Sequence, residues 1–403
     1  MNPKYFPIFL VSFIFLHYLH YFDYINYDYT LGGNICKIIG LFLLLFYLRY
    51  NFNVNQCPSK KYILGFIFLP MLSFISCYIE HGQSIIESMR AYIPLFVFFI
   101  YFYLHKNKLP AKYIIIILTI FAVARTSILI IEQFTYPNYL FAFRPEVYDD
   151  YGNLKQIEIR SGIYRYYISD TYLSQFLIFY YFQKITEHFN SKEFLLFVFG
   201  LVGLYLDQSR QFMVTTIMAV IIITLLSSNF KHKKASLVFI TILGIIIYFN
   251  VDILFGSLIE QTTSDMTKDN IRVMSYYTYF SDYWGGFLSY IFGNGIPGNS
   301  AYGAEISSME TDYGLWRADI GIVGFFNQYG IVSVVFFFYF YLNFLRKKWN
   351  LIESHLKMFF VASFLNLPLV VFFVNNDNWY VFWALMMYLL DSSIKHNREI
   401  RTV

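Results

Sequence analysis

The sequence predicts an all-α polytopic membrane protein with about 12 transmembrane helices, and three observations lead to this fold class. Of the 403 residues, 57% are hydrophobic and 14% are charged, whereas an average soluble domain has about 45–50% apolar residues. Apolar runs of about 20 residues, the length that crosses the hydrocarbon layer, recur throughout the chain. Basic residues concentrate in alternate loops between these runs, as they do in multi-spanning membrane proteins.

The apolar runs follow one another along the whole chain, so residues 1–403 are predicted to form a single integral membrane domain. The predicted spans are 5–22, 33–49, 62–79, 90–104, 112–131, 168–184, 193–207, 210–227, 235–252, 319–345, 356–374 and 377–391. The first run follows Lys4 and resembles a signal peptide, but no small-residue cleavage site follows it. We therefore interpret it as an uncleaved first span.

Loop charge predicts the orientation of the chain. Most lysines and arginines fall in alternate loops and in the carboxy-terminal tail: Arg49, Lys60, Lys61, Lys106, Lys108, Lys184, Lys192, Lys231, Lys233, Lys234, Arg346, Lys347, Lys348, Lys395, Arg398 and Arg401. The positive-inside rule places these loops and both termini in the cytoplasm. The two long connections, 132–167 and 253–318, then emerge on the opposite face, which in a bacterium is the periplasm.

Composition and spacing also exclude several classes of function. A net charge of +4 without a basic stripe argues against binding of nucleic acid. The three cysteines, Cys36, Cys57 and Cys77, are too widely spaced for a metal motif. Buried free thiols are favoured over a Cys36–Cys77 bridge. No metal and no cofactor is predicted, and loops outside the cytoplasm cannot use ATP or nucleotide sugars.

The turn between the seventh and eighth spans is the most informative segment. The segment from Leu206 to Gln211 leaves almost no loop, so Arg210 opens a membrane helix. The helix dipole disfavours a cation at that end, while the free N–H groups attract anions. This combination predicts a phosphate or diphosphate ligand. The alternative is an Arg210–Asp207 pair at the interface with a snorkelling arginine.

Arg125 lies inside the fifth predicted span. A lone charge at the centre of a membrane helix costs about 2.5–3.5 kcal/mol on insertion scales, so its side chain should face protein or an aqueous cavity. A structural pair with a carboxylate such as Glu132 or Asp170 and a contact with a ligand are both compatible with this position.

The first long loop, 132–167, contains both acidic and basic residues, most of which are expected to form a solvated surface. Arg160 and Arg165 stand nearest to the sixth span. They are therefore the residues of this loop that are able to reach a headgroup at membrane level.

The second long loop, 253–318, combines aromatic, acidic and basic residues. These are Arg272, Tyr276, Tyr277, Tyr279, Tyr283, Trp284, Glu305, Glu310, Asp312 and Arg317, followed by Asp319 at the start of the tenth span. Aromatic faces beside carboxylates suit a carbohydrate, and arginines suit a diphosphate. The alternatives are an ordinary interfacial belt of aromatic residues and, for Asp319, a helix cap.

With these residues in place, the layout resembles that of bacterial polysaccharide polymerases of the O-antigen polymerase type and of the related O-antigen ligases. The local motifs that carry the resemblance are the Ser209-Arg210 turn, Arg272, Ile291-Phe292-Gly293-Asn294-Gly295, Asp319-Ile320-Gly321-Ile322-Val323-Gly324 and Tyr329-Gly330-Ile331. The resemblance implies a glycosyltransferase of the GT-C class at the periplasmic face of the inner membrane. Such an enzyme transfers a growing glycan from undecaprenyl diphosphate to a lipid-linked repeat unit, without nucleotide or metal.

The resemblance also implies roles for individual residues. It suggests Arg210 and Arg272 as diphosphate-binding groups, and the further candidates for this role are Arg125, Arg160, Arg165 and Arg317. The ligases have an essential histidine in the second large loop, whereas residues 252–317 contain none, which favours a polymerase. The candidates to accept the proton of the acceptor hydroxyl are then Asp319, Glu310 and Asp312.

The implied partners are the undecaprenyl-diphosphate-linked oligosaccharide, membrane lipid, a protein that sets chain length and a flippase. An O-antigen ligase and a flippase or transporter for lipid-linked oligosaccharide are the alternative functions. Flippases usually have short loops, and loops longer than about 12–15 residues usually have a function or are disordered. The two long loops therefore favour an enzyme.

Overall fold

The computed structural model describes residues 5–18, 29–52, 57–135, 159–160, 163–164, 170–226, 270–371 and 377–402. The predicted span 235–252, most of the first long loop and residues 253–269 of the second lie outside the described residues. Within them the chain is mostly helical, which confirms the predicted helical class.

The helices are Phe6–Tyr18 (α1), Tyr29–Arg49 (α2), Lys60–Phe68 (α3), Ser73–His81 (α4), Ile85–Tyr92 (α5), Ile100–Lys106 (α6), Ala111–Thr135 (α7), Thr171–Glu187 (α8), Ser191–Leu206 (α9), Arg210–Leu226 (α10), Ile271–Tyr277 (α11), Phe287–Phe292 (α12), Ala301–Thr311 (α13), Gly321–Tyr339 (α14), Arg346–Lys348 (α15), Ser354–Leu365 (α16) and Asp377–Thr402 (α17). Short 3₁₀ segments join or extend some of them: Pro70–Leu72, Ile93–Phe99, Arg317–Ile320 and Trp349–Leu351. Two π-helical segments, Thr278–Asp282 and Phe340–Leu345, continue α11 and α14. A short antiparallel pairing of Ile159–Arg160 (β1) with Ile163–Tyr164 (β2) departs from the all-helical prediction.

Four helical stretches within the described residues are long and apolar enough to cross a membrane: Lys60–His81, Ile85–Lys106, Ala111–Thr135 and Arg317–Leu351. Shorter apolar helices lie at Phe6–Phe15, Arg210–Leu226 and Ser354–Leu365. The total of about 12 spans and the orientation of both termini stay predictions.

Helix α17 forms much of the protein interior. Trp383 is fully buried, with its ring centroid 5.7 Å from that of Phe359 and 5.6 Å from that of Phe360. Aromatic contacts of this kind add to the dispersion that drives helix association in an apolar solvent. By contrast, large apolar side chains are exposed on the outward faces of α2 and α7: Ile38, Leu41, Leu45, Leu48, Ile116 and Ile120. Such faces are suited to contact with lipid.

The two ends of the helix bundle differ in character. Residues 270–318 pack at one end, which we call the loop end. The other end, which we call the basic end, carries Lys61, Lys347, Lys348 and Arg398 around one cavity. These four residues are among those from which the orientation of the chain is predicted.

Helix α14 is interrupted at Gly330, which has φ 74° and ψ 174°. Backbone that leaves helical geometry among apolar surroundings must find other hydrogen-bond partners. Here the second long loop supplies them, because the amides of Asn294 and Gly295 donate to the carbonyls of Asn327 and Gln328 at 2.8 and 2.9 Å. The loop is therefore anchored inside the bundle at the interruption.

Close backbone approach explains the glycines on both sides of this contact. A Cβ atom at Gly293 would overlap the carbonyl of Gln328, and one at Gly330 would overlap the carbonyl of Ile291. Gly293 also has φ 90° and ψ 165°, a region of backbone conformation that is essentially restricted to glycine. Both positions therefore require glycine for two independent reasons.

Candidate functional site

A turn at residues 366–369, which follows α16, is contacted by three other segments at the loop end. The side-chain amide of Gln211 donates to the Asn366 carbonyl and side-chain oxygens at 3.1 and 3.0 Å. The amide of Ile322 donates to the Leu367 carbonyl at 2.8 Å. The hydroxyl of Tyr276 donates to the carbonyl of Pro368.

Each of these three contacts is made close to a residue that the sequence analysis had singled out. Arg210 directly precedes Gln211, Arg272 lies one helical turn before Tyr276, and Asp319 lies three residues before Ile322. The structure thus brings the segments that carry Arg210, Arg272 and Asp319 to one turn. We call this cluster, formed by residues 366–369 and these three residues, the 366–369 site.

Arg272 stands at the start of α11, whose first turn is capped by the Asn270 side chain accepting from the Arg272 amide at 2.9 Å. Its Nε is buried and makes no hydrogen bond within the described part of the chain. Burial raises the pKa of Tyr276, and the nearby charge of Arg272 offsets part of that rise. The Tyr276 hydroxyl therefore stays protonated and keeps its hydrogen bond to the 366–369 turn.

Arg210 is half-buried and opens α10, as predicted. The tight turn before it is made possible by Gln208, which adopts a positive φ of 51°. The buried Gln208 side chain donates to the Tyr205 carbonyl at 2.8 Å and so closes the turn from within. The first-turn N–H groups of α10 and the guanidinium of Arg210 thus occur together, a combination suited to an anion.

Arg125 is fully buried beneath this turn. Its guanidinium forms an ion pair with Asp207 and donates to the Ser174 hydroxyl at 3.1 Å. The sequence predicts a structural pair with a carboxylate such as Glu132 or Asp170, and the structure shows an ion pair with Asp207, which follows α9. The pair holds the end of α9 in place, so the structure gives Arg125 a role in positioning the turn that precedes Arg210.

Arg317 is also fully buried, although the sequence analysis counted it among the candidate diphosphate-binding residues. Its Nε lies 3.7 Å from the Glu310 carboxylate, and its Nη1 donates to the Tyr302 hydroxyl at 3.2 Å. The Tyr279 ring lies beside the guanidinium, with its centroid 5.9 Å away. Burial raises the pKa of Tyr302 to about 12. Arg317 and Glu310 therefore lie in the interior of the second loop.

The other two carboxylates are exposed. Asp312 accepts hydrogen bonds from the hydroxyls of Ser308 at 2.6 Å and Thr311 at 3.3 Å, so it closes the end of α13. Asp319 is exposed in the 3₁₀ segment Arg317–Ile320, next to the start of α14. Of the three candidate bases, Asp319 is the one whose backbone segment leads directly to the 366–369 turn.

Two candidates in the first long loop receive only a partial description. The backbone of Arg160 belongs to β1, and its side chain lies outside the described residues, as does all of Arg165. Their proposed contact with a headgroup stays a prediction.

Sequence reasoning missed three polar residues that attach the second loop to the end of α4. The Glu80 carboxylate accepts from the amides of Leu288 and Ser289, both at 2.9 Å. The side-chain oxygen of Gln83 accepts from the Gly298 amide at 2.7 Å. The signal was the polar run Glu80 to Gln83, which directly follows an apolar span.

His81 is the third of these residues. Its Nε2 lies 2.7 Å from the side-chain oxygen of Asn294. Its ring stacks on Tyr283, with the centroids 6.1 Å apart, and lies 4.5 Å from the centroid of Tyr302. The second loop has no histidine of its own, yet the fold brings one against it.

Within the ranges that the structure describes, no group of three or more His, Cys, Asp or Glu side chains is placed to hold a metal ion. The charged residues whose segments meet at the 366–369 turn are Arg210, Arg272 and Asp319. No family model and no curated protein matches the chain.

Proposed function

We propose that the protein is a polysaccharide polymerase, a membrane glycosyltransferase that transfers a growing glycan from undecaprenyl diphosphate to a lipid-linked repeat unit. The observation that supports this proposal is the approach of the Arg210, Arg272 and Asp319 segments to the turn at residues 366–369. Two arginines suit a diphosphate, and a neighbouring carboxylate suits a sugar hydroxyl.

The reaction requires the protein to position the two substrates and to stabilise negative charge. Diphosphate is already a good leaving group, so the enzyme has to hold it, neutralise the charge that develops on it and direct the acceptor hydroxyl at the anomeric carbon. In this proposal Arg210 and Arg272 bind the diphosphate, and Asp319 accepts the proton of the attacking hydroxyl. Buried Arg125 and Arg317 act indirectly, by fixing the turn before Arg210 and the interior of the second loop.

Both lipid-linked substrates have tails that remain in the membrane, so the reaction belongs at the membrane surface. The loop end would face the periplasm of a bacterial inner membrane, since the positive-inside rule assigns the basic end to the cytoplasm. The reaction needs no nucleotide in the periplasm, because the free energy for glycosyl transfer is stored in the diphosphate linkage of the donor.

Complementation of a deletion strain tests the proposal. Arg210→Ala and Arg272→Ala should each abolish polymer while single repeat units still reach the final acceptor. Arg90→Ala is the matched control. Arg90 also lies near the loop end, but its side chain is 69% exposed and is paired with Glu87. Wild-type chain-length profiles in either arginine variant, at wild-type protein level, would remove that residue from the site.

The deletion strain also distinguishes the alternative functions. A polymerase defect leaves single repeats that are transferred to their acceptor, whereas a ligase defect leaves lipid-linked polymer that is not transferred. A flippase defect keeps the lipid-linked repeats on the cytoplasmic side. Either of the last two outcomes would replace the proposed activity.

A further inference from the structure

The basic end contains a cavity of about 460 Å³ whose described lining has no acidic residue. Four of its lining side chains are cations from three separate parts of the chain: Lys61 on α3, Lys347 and Lys348 on α15, and Arg398 on α17. The remaining lining residues are Pro58, Tyr62, Asn343 and Phe344. This volume lies in the range of small-molecule sites, which is about 300–1,000 Å³.

The positive-inside rule accounts for basic residues at this end but not for their arrangement around a cavity. Arg398 and Lys347 both lie close enough to Lys348 to repel its ammonium group. The ammonium of Lys61 is held over aromatic rings, 4.9 Å from the centroid of Tyr62 and 5.7 Å from that of Tyr339. An anion in the cavity would remove the mutual repulsion, so the arrangement favours a negatively charged ligand.

The surface beside the cavity indicates which kind of anion this is. Ile331, Val335 and Tyr339 are exposed at successive turns of one face of α14, and Leu342 is exposed just beyond them. This apolar stripe extends for about 12 Å along the helix, towards the middle of the bundle. A basic cavity at the membrane surface continuous with an apolar stripe matches a phosphate headgroup with an acyl chain.

We propose that this cavity binds an anionic phospholipid, with the phosphate among Lys61, Lys347, Lys348 and Arg398 and an acyl chain along Ile331, Val335 and Tyr339. The site is separate from the 366–369 site and does not depend on the proposed function. Its position joins α3, α15 and α17, so the bound lipid would hold these helices together at the basic end.

Lipid binding to the purified protein tests this inference. The full chain in neutral detergent is titrated with phosphatidylglycerol or phosphatidylcholine, and retained lipid is counted by native mass spectrometry. The pocket variant replaces Lys61, Lys347, Lys348 and Arg398 by glutamine. The control variant replaces Lys106, Lys108, Lys112 and Lys192, which also lie towards the basic end but do not line the cavity, by glutamine.

The wild-type protein and the control variant should retain phosphatidylglycerol in preference to phosphatidylcholine. The pocket variant should bind phosphatidylglycerol more than about a hundredfold less tightly, since each cation near a membrane surface contributes about fivefold. Arg398→Gln alone, which leaves the transmembrane helices unchanged, should weaken binding by about fivefold if the fourfold variant does not fold. Equal affinity of the pocket and control variants would overturn the proposal, as would inorganic phosphate displacing the lipid at equal concentration.

Discussion

Replacement of Gly293 by alanine should detach the second long loop from the interruption in α14. The new Cβ would overlap the backbone carbonyl of Gln328, which cannot rotate away as a flexible side chain could. The backbone conformation at Gly293, with φ 90° and ψ 165°, adds about 1–3 kcal/mol of strain for a residue other than glycine. Overpacking of a close contact adds about another 1–3 kcal/mol. We therefore expect Gly293→Ala to lower the free energy of unfolding by about 2–6 kcal/mol in total.

Gly82→Ala is the matched control for this prediction. Gly82 also has a positive φ, 68°, but a Cβ there would meet nothing within 4 Å. Gly82→Ala should therefore lower the free energy of unfolding only through left-handed backbone strain, by about 1–2 kcal/mol.

The assay is thermal unfolding of the purified protein in detergent, combined with limited proteolysis within residues 285–300. Gly293→Ala should lower the midpoint more than Gly82→Ala and should make the loop cleavable below the unfolding temperature. Equal midpoints for the two variants, or a loop that stays protected in Gly293→Ala, would refute the proposed anchoring.

Three further predictions follow from the buried and exposed charged groups. Asp207→Asn should lower the unfolding free energy by up to about 3–5 kcal/mol, because it removes the carboxylate that is ion-paired with the fully buried Arg125; the Arg125→Gln/Asp207→Asn double variant should recover part of this loss, and an additive loss would contradict it. Asp319→Asn should reduce polymer formation strongly while Asp312→Asn should not, as measured by chain-length profiles at equal protein level; the opposite order would exclude Asp319 as the base. Burial raises the pKa of Tyr302 to about 12, above the ordinary phenol value of about 10, so the stabilisation from its protonated hydroxyl is present below about pH 10 and is lost as the pH rises towards 12; proteolysis of the loop should increase over this interval, and Tyr302→Phe should make the increase smaller, while Tyr279 and Tyr283, whose pKa values burial also raises, keep part of it.

The helices were the most predictable part of the fold, because the length and polarity of an apolar run are local properties. The predicted span 62–79 corresponds to Lys60–His81, and the predicted span 112–131 corresponds to Ala111–Thr135. The predicted spans within the described residues overlap helices, although their bounds move by several residues and the helix within the span 356–374 already ends at Leu365. Polar residues at the ends, such as Lys60 and His81, can belong to the helix without contributing to the apolar pattern.

The interruption of α14 was not predictable from the apolar run 319–345, which is continuous in the sequence. Gly330 alone does not specify a break, since glycine is common in membrane helices. The break depends on hydrogen bonds from the amides of Asn294 and Gly295, which lie more than 30 residues earlier in the chain. The local pattern of apolar residues does not reveal such distant partners. The same reason explains why the Arg125–Asp207 pair, 82 positions apart, was not identified.

The candidate site was predicted in part. Arg210, Arg272 and Asp319 were chosen because each stands at a helix start or in the long loop, and their segments do meet at one turn. The turn itself, at residues 366–369, lay within the predicted span 356–374 and was not expected to be a contact point. Hydropathy does not reveal this turn, because Leu367, Pro368 and Leu369 are as apolar as the residues of a membrane helix although they are not helical.

Direct binding of undecaprenyl diphosphate to the purified protein in lipid nanodiscs tests the central claim, that Arg210 and Arg272 hold a diphosphate. A hydrogen bond to a charged group contributes about 1.5–3 kcal/mol, so Arg210→Ala and Arg272→Ala should each weaken binding by about 10–150-fold. Arg90→Ala should leave the affinity within about twofold of wild type, since Arg90 is exposed and paired with Glu87. Unchanged affinity in both site variants, with the protein folded, would contradict the account.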